Sequence, residues 1–191
     1  MLSEIKDFAK LFLEKSEKKD IQIISHFDTD GITSAAILIK TLERLEKQFS
    51  IKIVKSLEKE EINNLSKDKI NFILDLGSGN IEQLGDTKKE IFIIDHHEIS
   101  VKNIPENINI FNPHLINSEN LCTAELVYLF SASMSKDNKN LAYLSIIGMI
   151  GDTMEKYLNP IRNEIIKDSK VIVKKGLLIY PSTRPIDRAL E

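Results

Sequence analysis

The chain is constrained most by Ile91-Phe92-Ile93-Ile94-Asp95-His96-His97, four apolar residues running into one carboxylate and two imidazoles. The apolar run is short and mostly β-branched, with no polar alternation. That pattern predicts a strand buried on both faces, as in the middle of a parallel sheet. Such a strand delivers its last residues to the carboxyl edge of the sheet, where open α/β folds place their sites. Asp95, His96 and His97 are therefore expected together at a cleft. Aspartate and histidine are also ligands for borderline divalent metals. A capping aspartate followed by two surface histidines accounts for the triplet equally well, so the rest of the chain has to decide.

Along the chain, helical and extended patterns alternate. Ile5, Phe8, Ala9, Phe12 and Leu13 recur at helical spacing within Leu2–Lys19. Ile21–Ser25 predicts a first strand, ending in His26-Phe27-Asp28-Thr29-Asp30-Gly31. A helix over Ile32–Gln48 would turn Ala35, Ala36, Ile39, Leu42 and Leu45 inward. Ile51–Val54 predicts a second strand and Glu58–Leu65 a short polar helix. Ile70–Asp75 predicts a third strand, followed by a loop at Leu76–Asn80 and a helical turn at Ile81–Leu84. The fourth strand is Ile91–Asp95. Ile108–Phe111 is a fifth, stopped by Asn112-Pro113. Leu121–Met134 and Asn138–Ile150 read as two helices, with Ser118 a candidate cap for the first and Gly151-Asp152-Thr153 closing the second. Pro160 can start a last helix reaching about Lys175, and Pro181 and Pro185 make the tail irregular. This order predicts an α/β fold, a mostly parallel sheet of about five strands flanked by helices on both faces.

The formal net charge is -3. A dedicated nucleic-acid binder is usually strongly basic, so charge alone announces no such partner, although a carboxylate metal site would itself add acidity. The one cysteine, Cys122, excludes an internal disulfide and sits in an apolar segment, as a small core residue does. No stretch is long and apolar enough to span a bilayer, so no membrane partner is expected. Met1–Lys19 lacks the apolar core of a secretory signal, and the expected compartment is cytoplasmic.

Three of the predicted strands end in carboxylates: Asp28 and Asp30 after the first, Asp75 after the third and Asp95 after the fourth. Asp152 follows a helix that packs nearby in the expected fold. Two such charges at about 4 Å repel by roughly 4 kcal/mol at an effective dielectric near 20. Protons or cations must offset that repulsion. With histidines in the same set, a pair of divalent ions is the better account, and two ions bridged by one carboxylate suit attack of water on a phosphate ester.

In order and rough spacing, His26-x-Asp28-x-Asp30-Gly31, Asp75, Asp95-His96-His97 and Gly151-Asp152 resemble the DHH phosphoesterase family, and within it RecJ-like nucleases of archaeal type. The resemblance implies a hydrolase using two Mn²⁺ ions, with Mg²⁺ as a substitute. It implies His26, Asp28 and Asp75 as ligands of one ion, and Asp30, Asp75, His96 and Asp152 as ligands of the other, with Asp75 bridging. It implies His97 as a donor to the scissile phosphate and Asp95 as the residue that orients His96 through its ring N–H. The family varies at the position of His26, where bacterial RecJ enzymes carry Asp. The implied substrates are single-stranded DNA or RNA, or short oligonucleotides, with a replication or repair protein as partner. Two alternatives stand beside this reading, a non-catalytic replication or repair scaffold and a pyrophosphatase or exopolyphosphatase. Non-catalytic relatives lose metal ligands, and this chain keeps every acidic position, which favours the enzyme. The family's enzymes carry a C-terminal substrate-binding domain. The expectation is that residues 1–191 form a single DHH catalytic domain without it, in a chain that is truncated or borrows a partner.

Secondary candidates are weaker. His114, beside Asn112-Pro113, is a candidate phosphate contact but reads more readily as an exposed loop histidine. Gly77-Ser78-Gly79 could cradle a phosphate but more often makes a turn. Ser118 and Thr123 flank a helix start whose N–H groups could bind an anion. Lys167, Lys170, Lys174, Lys175, Arg184 and Arg188 make the C-terminal region basic, usually a solvated face.

Overall fold

A computed structural model of the chain describes residues 1–101, 103–116 and 118–173. Strands β1 (Ile21–His26), β2 (Phe49–Val54), β3 (Ile70–Leu74), β4 (Ile91–Ile94) and β5 (Ile108–Phe111) form one sheet in the order β2-β1-β3-β4-β5. Every neighbouring pair is parallel. The α/β expectation is met, and β5 is a full member of the sheet. The central strands β3 and β4 are buried at every residue, which is why their sequences carry no polar alternation.

Alternation of side chains along each strand divides the core in two. Phe72 and Leu74 of β3 and Phe92 and Ile94 of β4 face α1 (Leu2–Lys15), α2 (Thr29–Arg44), α5 (Thr123–Met134), α6 (Ala142–Gly151) and α7 (Pro160–Ser169). Ile73, Ile91 and Ile93 face the opposite side, against α3 (Lys59–Asn63) and α4 (Ile81–Asp86). The larger core is aromatic. Phe12 meets Phe72 at 5.2 Å and Phe92 at 5.4 Å between ring centroids, both edge to face, a geometry worth about 0.5–1.5 kcal/mol per pair beyond burial. No helix among the described residues is long and apolar enough to cross a membrane.

Several helix boundaries differ from the sequence expectation. The first helix stops at Lys15 rather than Lys19. α2 begins at Thr29, three residues early, because Asp28 caps it, and it ends at Arg44. Its buried face includes Ile37 and Leu38, whereas Ala36, Ile39 and Leu45 are only partly covered. The helix lies between the sheet and two other helices, so its buried arc is wider than one stripe. Ser118 does not cap α5. Cys122 occupies the cap position and its N–H donates to Glu125. The segment from Asn138 to Ile150 is not one helix. A 3₁₀ stretch over Lys136–Leu141 precedes α6. α7 ends at Ser169 rather than Lys175, with Lys170 in the left-handed region at φ 58°. Lys167 and Lys170 are exposed, while Lys174, Lys175, Arg184 and Arg188 lie outside the described residues.

Candidate metal centre

The ends of β1, β3 and β4 lie side by side, with Ser25 in register with Leu74 and Leu74 with Ile94. The residues after them therefore meet at one edge of the sheet. After β1 the chain turns directly into α2. Asp28 caps that helix by accepting the Gly31 N–H at 2.9 Å, which sets Asp30 in the first helical turn, fully buried. Gly31 has to be small, since a Cβ there would sit 2.4 Å from the His26 carbonyl oxygen.

Asp30 points at the N-terminus of α5. Its Oδ2 accepts the Thr123 N–H at 2.7 Å and its Oδ1 the Ala124 N–H at 2.8 Å. The N–H groups at this helix start are thus taken by the chain's own Asp30 carboxyl group. Asp75 ends β3 in the left-handed region, at φ 58°. Strand alternation would send it to the side of Ile73. The left-handed backbone turns it instead toward α5, where Thr123 Oγ1 donates to its Oδ1 at 2.9 Å. Asp152 arrives from the end of α6, which packs tightly on α2. Gly148 permits that approach, since a Cβ there would lie 2.5 Å from Ala124 Cβ and 2.8 Å from Asp30 Oδ1.

The eight residues singled out in the sequence form one cluster. His26 Nδ1 lies 2.8 Å from Asp28 Oδ2 and 3.3 Å from Asp75 Oδ2. His96 Nε2 lies 3.2 Å from Asp152 Oδ2, 3.6 Å from Asp75 Oδ1 and 3.9 Å from Asp30 Oδ2. His97 Nδ1 lies 2.7 Å from Asp95 Oδ1 and 3.9 Å from Asp75 Oδ1. Three overlapping groups have metal-ligating spacing: His26–Asp28–Asp75, Asp30–His96–Asp152 and Asp75–His96–His97. His26 Nδ1 and Asp75 Oδ2 are buried, face each other at 3.3 Å, and make no well-aligned hydrogen bond among the described residues, although Asp28 Oδ2 lies 2.8 Å from the same ring nitrogen. Two facing polar atoms left unpaired between a carboxylate and an imidazole are what a divalent cation would satisfy, so the residues fit such an ion.

Electrostatics points the same way. Burial, with the charges of Asp30 and Asp28 close by, pushes the Asp75 carboxyl up to about 10. Burial and Asp152 also raise Asp30. Without cations, then, Asp75 holds a proton near neutral pH, and Asp30 is shifted in the same direction. Burial also opposes the charge on Asp28, but the Gly31 N–H and the charge of His26 hold it below the usual range. Asp95 is buried as well, yet its bonds from His97 and the Ser78 N–H bring it down to about 2. The hydrogen bond to Asp95 raises His97 in turn. Burial pushes the Cys122 thiol up, as befits a core residue rather than a nucleophile.

One expected contact is corrected. Asp95 binds the ring of His97, not that of His96. Asp95 Oδ1 also accepts the His97 backbone N–H at 3.3 Å, a local turn that brings the His97 ring onto the carboxylate, while His96 faces Asp152 and Asp30. The chain leaves the strand after Ile94, which lets the two rings converge to 4.5 Å between centroids. Ser78 is also reassigned. Its N–H is taken by Asp95 Oδ2 at 2.9 Å, so that amide cradles no bound phosphate. His114 is exposed, with Nε2 3.1 Å from the His96 carbonyl oxygen.

Two contributors were not visible in the sequence. The Thr123 hydroxyl is one, because only the amides of this helix start suggested a role. The other is Asn112, whose side-chain amide donates to Ser78 Oγ and to the His97 carbonyl, each at 2.9 Å. Its place just before Pro113 marked a strand end but carried no sign of these bonds.

The DHH family N-terminal domain matches residues 20–149. The chain belongs to the DHH family. An uncharacterized protein of Methanocaldococcus jannaschii is 34% identical over 181 residues, an alignment covering 88% of this chain and 41% of that protein. The chain thus spans about two fifths of the length of that curated relative. Among solved structures, exonuclease RecJ bound to manganese superposes with a TM-score of 0.72 at 21% identity, over 86% of this chain and 46% of that one. CDC45 from Entamoeba histolytica matches with a TM-score of 0.62 at 18% identity, over 95% of this chain and 39% of that one. An exopolyphosphatase-related protein from Bacteroides fragilis matches at 0.58 and 18%, over 85% and 56%. At these identities the likeness to the three structures is one of fold. The motifs from His26 to His97 thus lie within the matched DHH domain, Gly151-Asp152 follows just after it, and the chain has a RecJ-like DHH fold.

Proposed function

We propose that this DHH domain is the catalytic part of a metal-dependent phosphodiesterase, an exonuclease acting on single-stranded nucleic acid or short oligonucleotides. The observation that carries the reading is the pair of ligand groups meeting at Asp75, with His26 and Asp28 on one side and His96, Asp30 and Asp152 on the other. His26, Asp28 and Asp75 would hold one ion, and Asp30, Asp75, His96 and Asp152 the other. Mn²⁺ is the proposed metal, in keeping with the manganese-bound RecJ neighbour, and Mg²⁺ a substitute. Two such ions would supply an activated water, orient the phosphate and offset charge on the leaving oxygen.

The chain's own part is to keep those side chains in place and to meet the phosphate. His97 is suited to the second task. It is half-exposed beside the carboxylates, and Asp95 keeps it inclined to hold its proton. It would donate through Nε2 to a non-bridging phosphate oxygen, where negative charge builds in the transition state. Retention of every acidic position favours an enzyme over a scaffold. Selection among long substrates would fall to residues beyond this domain or to a replication or repair protein.

The test is hydrolysis of a small activated phosphodiester and of a short end-labelled oligonucleotide, with and without Mn²⁺. Both should be cleaved only with metal, and Asp75→Asn should abolish cleavage. Metal-dependent release of phosphate from tripolyphosphate, with neither diester cleaved, would replace the nuclease reading by the polyphosphatase one.

A further inference from the structure

We infer that Thr123 is a positioning residue of this centre, its hydroxyl fixing which oxygen of Asp75 faces each group of ligands. The inference rests on the two-ion reading above. Thr123 is completely buried at the first turn of α5. Its hydroxyl is not used to start the helix, because Cys122 holds the cap position with Glu125 accepting its N–H. Instead Oγ1 donates at 2.9 Å to Asp75 Oδ1, a residue 48 positions earlier. The backbone N–H of the same residue donates to Asp30 Oδ2 at 2.7 Å. One residue therefore touches both the carboxylate shared by the two ligand groups and a carboxylate belonging to only one of them.

The consequence follows from the asymmetry of Asp75. Oδ1 is bonded by Thr123 and lies 3.6 Å from His96 Nε2. Among the described residues Oδ2 makes no well-aligned hydrogen bond, and it lies 3.3 Å from His26 Nδ1. A carboxylate free to turn about its Cβ–Cγ bond would have to be ordered at the moment of binding. The hydroxyl orders it beforehand, and partners of this kind typically change metal affinity by about 10–100-fold when removed. The amides that hold Asp30 belong to the backbone and are kept by Val, Ser or Ala at this position. A change from Thr to Val therefore isolates the hydroxyl, and Ser restores it.

The experiment is titration of the purified chain with Mn²⁺ alone, followed by calorimetry and by the paramagnetic resonance signal of free Mn²⁺, with metal-free melting curves to establish folding. Wild type should bind two ions. Thr123→Val should melt cooperatively without metal but bind Mn²⁺ about 10–100-fold more weakly, and Thr123→Ser should bind close to wild type. If Thr123→Val does not fold, Thr123→Ala takes its place in the comparison with Ser. Wild-type affinity in the variant lacking the hydroxyl would overturn the inference, as would equal weakening in Val and Ser. A wild-type protein that binds no Mn²⁺ is a different failure, and it would overturn the metal reading itself.

Discussion

Asp95 and His97 illustrate how far single residues can be read. Their pairing is local, the Asp95 side chain turning back on the residue two ahead and accepting its N–H as well, but the rule that ligating histidines need an orienting carboxylate pointed to His96 instead. Backbone geometry prevails, and Asp95 Oδ1 sits 2.7 Å from His97 Nδ1. Asp75 runs the other way. Alternation would send it to the wrong side, and only its φ of 58°, invisible in the sequence, brings it to Thr123. The Asp95–His97 pair has a definite pH signature in the metal-free protein. His97 is raised by its bond to Asp95, so its contribution to stability is complete below its ordinary value of about 6.5. That contribution is lost as pH climbs through the raised folded value. Asp95, lowered to about 2, contributes above its ordinary carboxylate range and loses that contribution only as pH falls toward about 2. The pair is therefore stabilising through the mildly acidic range. Asp95→Asn should move the His97 ring titration, followed by NMR in the presence of a chelator, down toward its ordinary value. A His97 titration unchanged by Asp95→Asn would mean that the two do not interact in solution.

Helices were legible as objects but not at their ends, because their ends are set by partners far away in sequence. The N-terminus of α5 is the clearest instance. Arg162 of α7 is fully buried beneath it and uses all its donors. Nε and Nη2 bind Glu125 at 2.7 and 2.6 Å, Nη2 also binds the Asn120 carbonyl, and Nη1 binds the carbonyls of Met154 and Tyr157. This ties the start of α5, which holds Asp30 and Asp75, to the loop that follows Asp152. In the sequence, Arg162 stands among Asn163, Glu164 and Lys167 and looks like part of a solvated face. Nothing local sets it apart. Arg162→Met should destabilise the fold by about 3–5 kcal/mol in urea unfolding, because Glu125 is left buried and uncompensated. Adding Glu125→Gln, which removes that charge yet keeps an acceptor for the Cys122 N–H, should recover part of the loss. A single mutant within about 1 kcal/mol of wild type, the range of an exposed pair, or a double mutant no better than the single, would show that burial of this pair is not what holds α5.

For the molecule as a whole, the sheet and the convergence of its carboxyl edge were readable from the apolar runs and the acidic residues that end them. What assembles around that edge is a set of charges that cannot all ionise together without cations, and this links folding to metal and to pH. In the metal-free protein Asp75 is pushed up to about 10 by burial and by its acidic neighbours. The folded chain then holds a proton that the unfolded chain has released, so stability falls as pH rises from the ordinary carboxylate range toward about 10. Ions must displace that proton, so their binding strengthens as pH rises. At free Mn²⁺ a hundredfold above Kd, one site adds about 2.7 kcal/mol, and each kcal/mol is worth roughly 2–4 °C in a chain of about this size. The expected result is a melting temperature that declines from pH 6 to pH 9 in chelator, is raised by Mn²⁺, and is raised more at pH 8 than at pH 6. Asp75→Asn, which cannot ionise, should flatten the metal-free decline and lose most of the Mn²⁺ shift. An Mn²⁺ shift of equal size at both pH values, unchanged by Asp75→Asn, would separate the stability of this fold from the charges at its carboxyl edge.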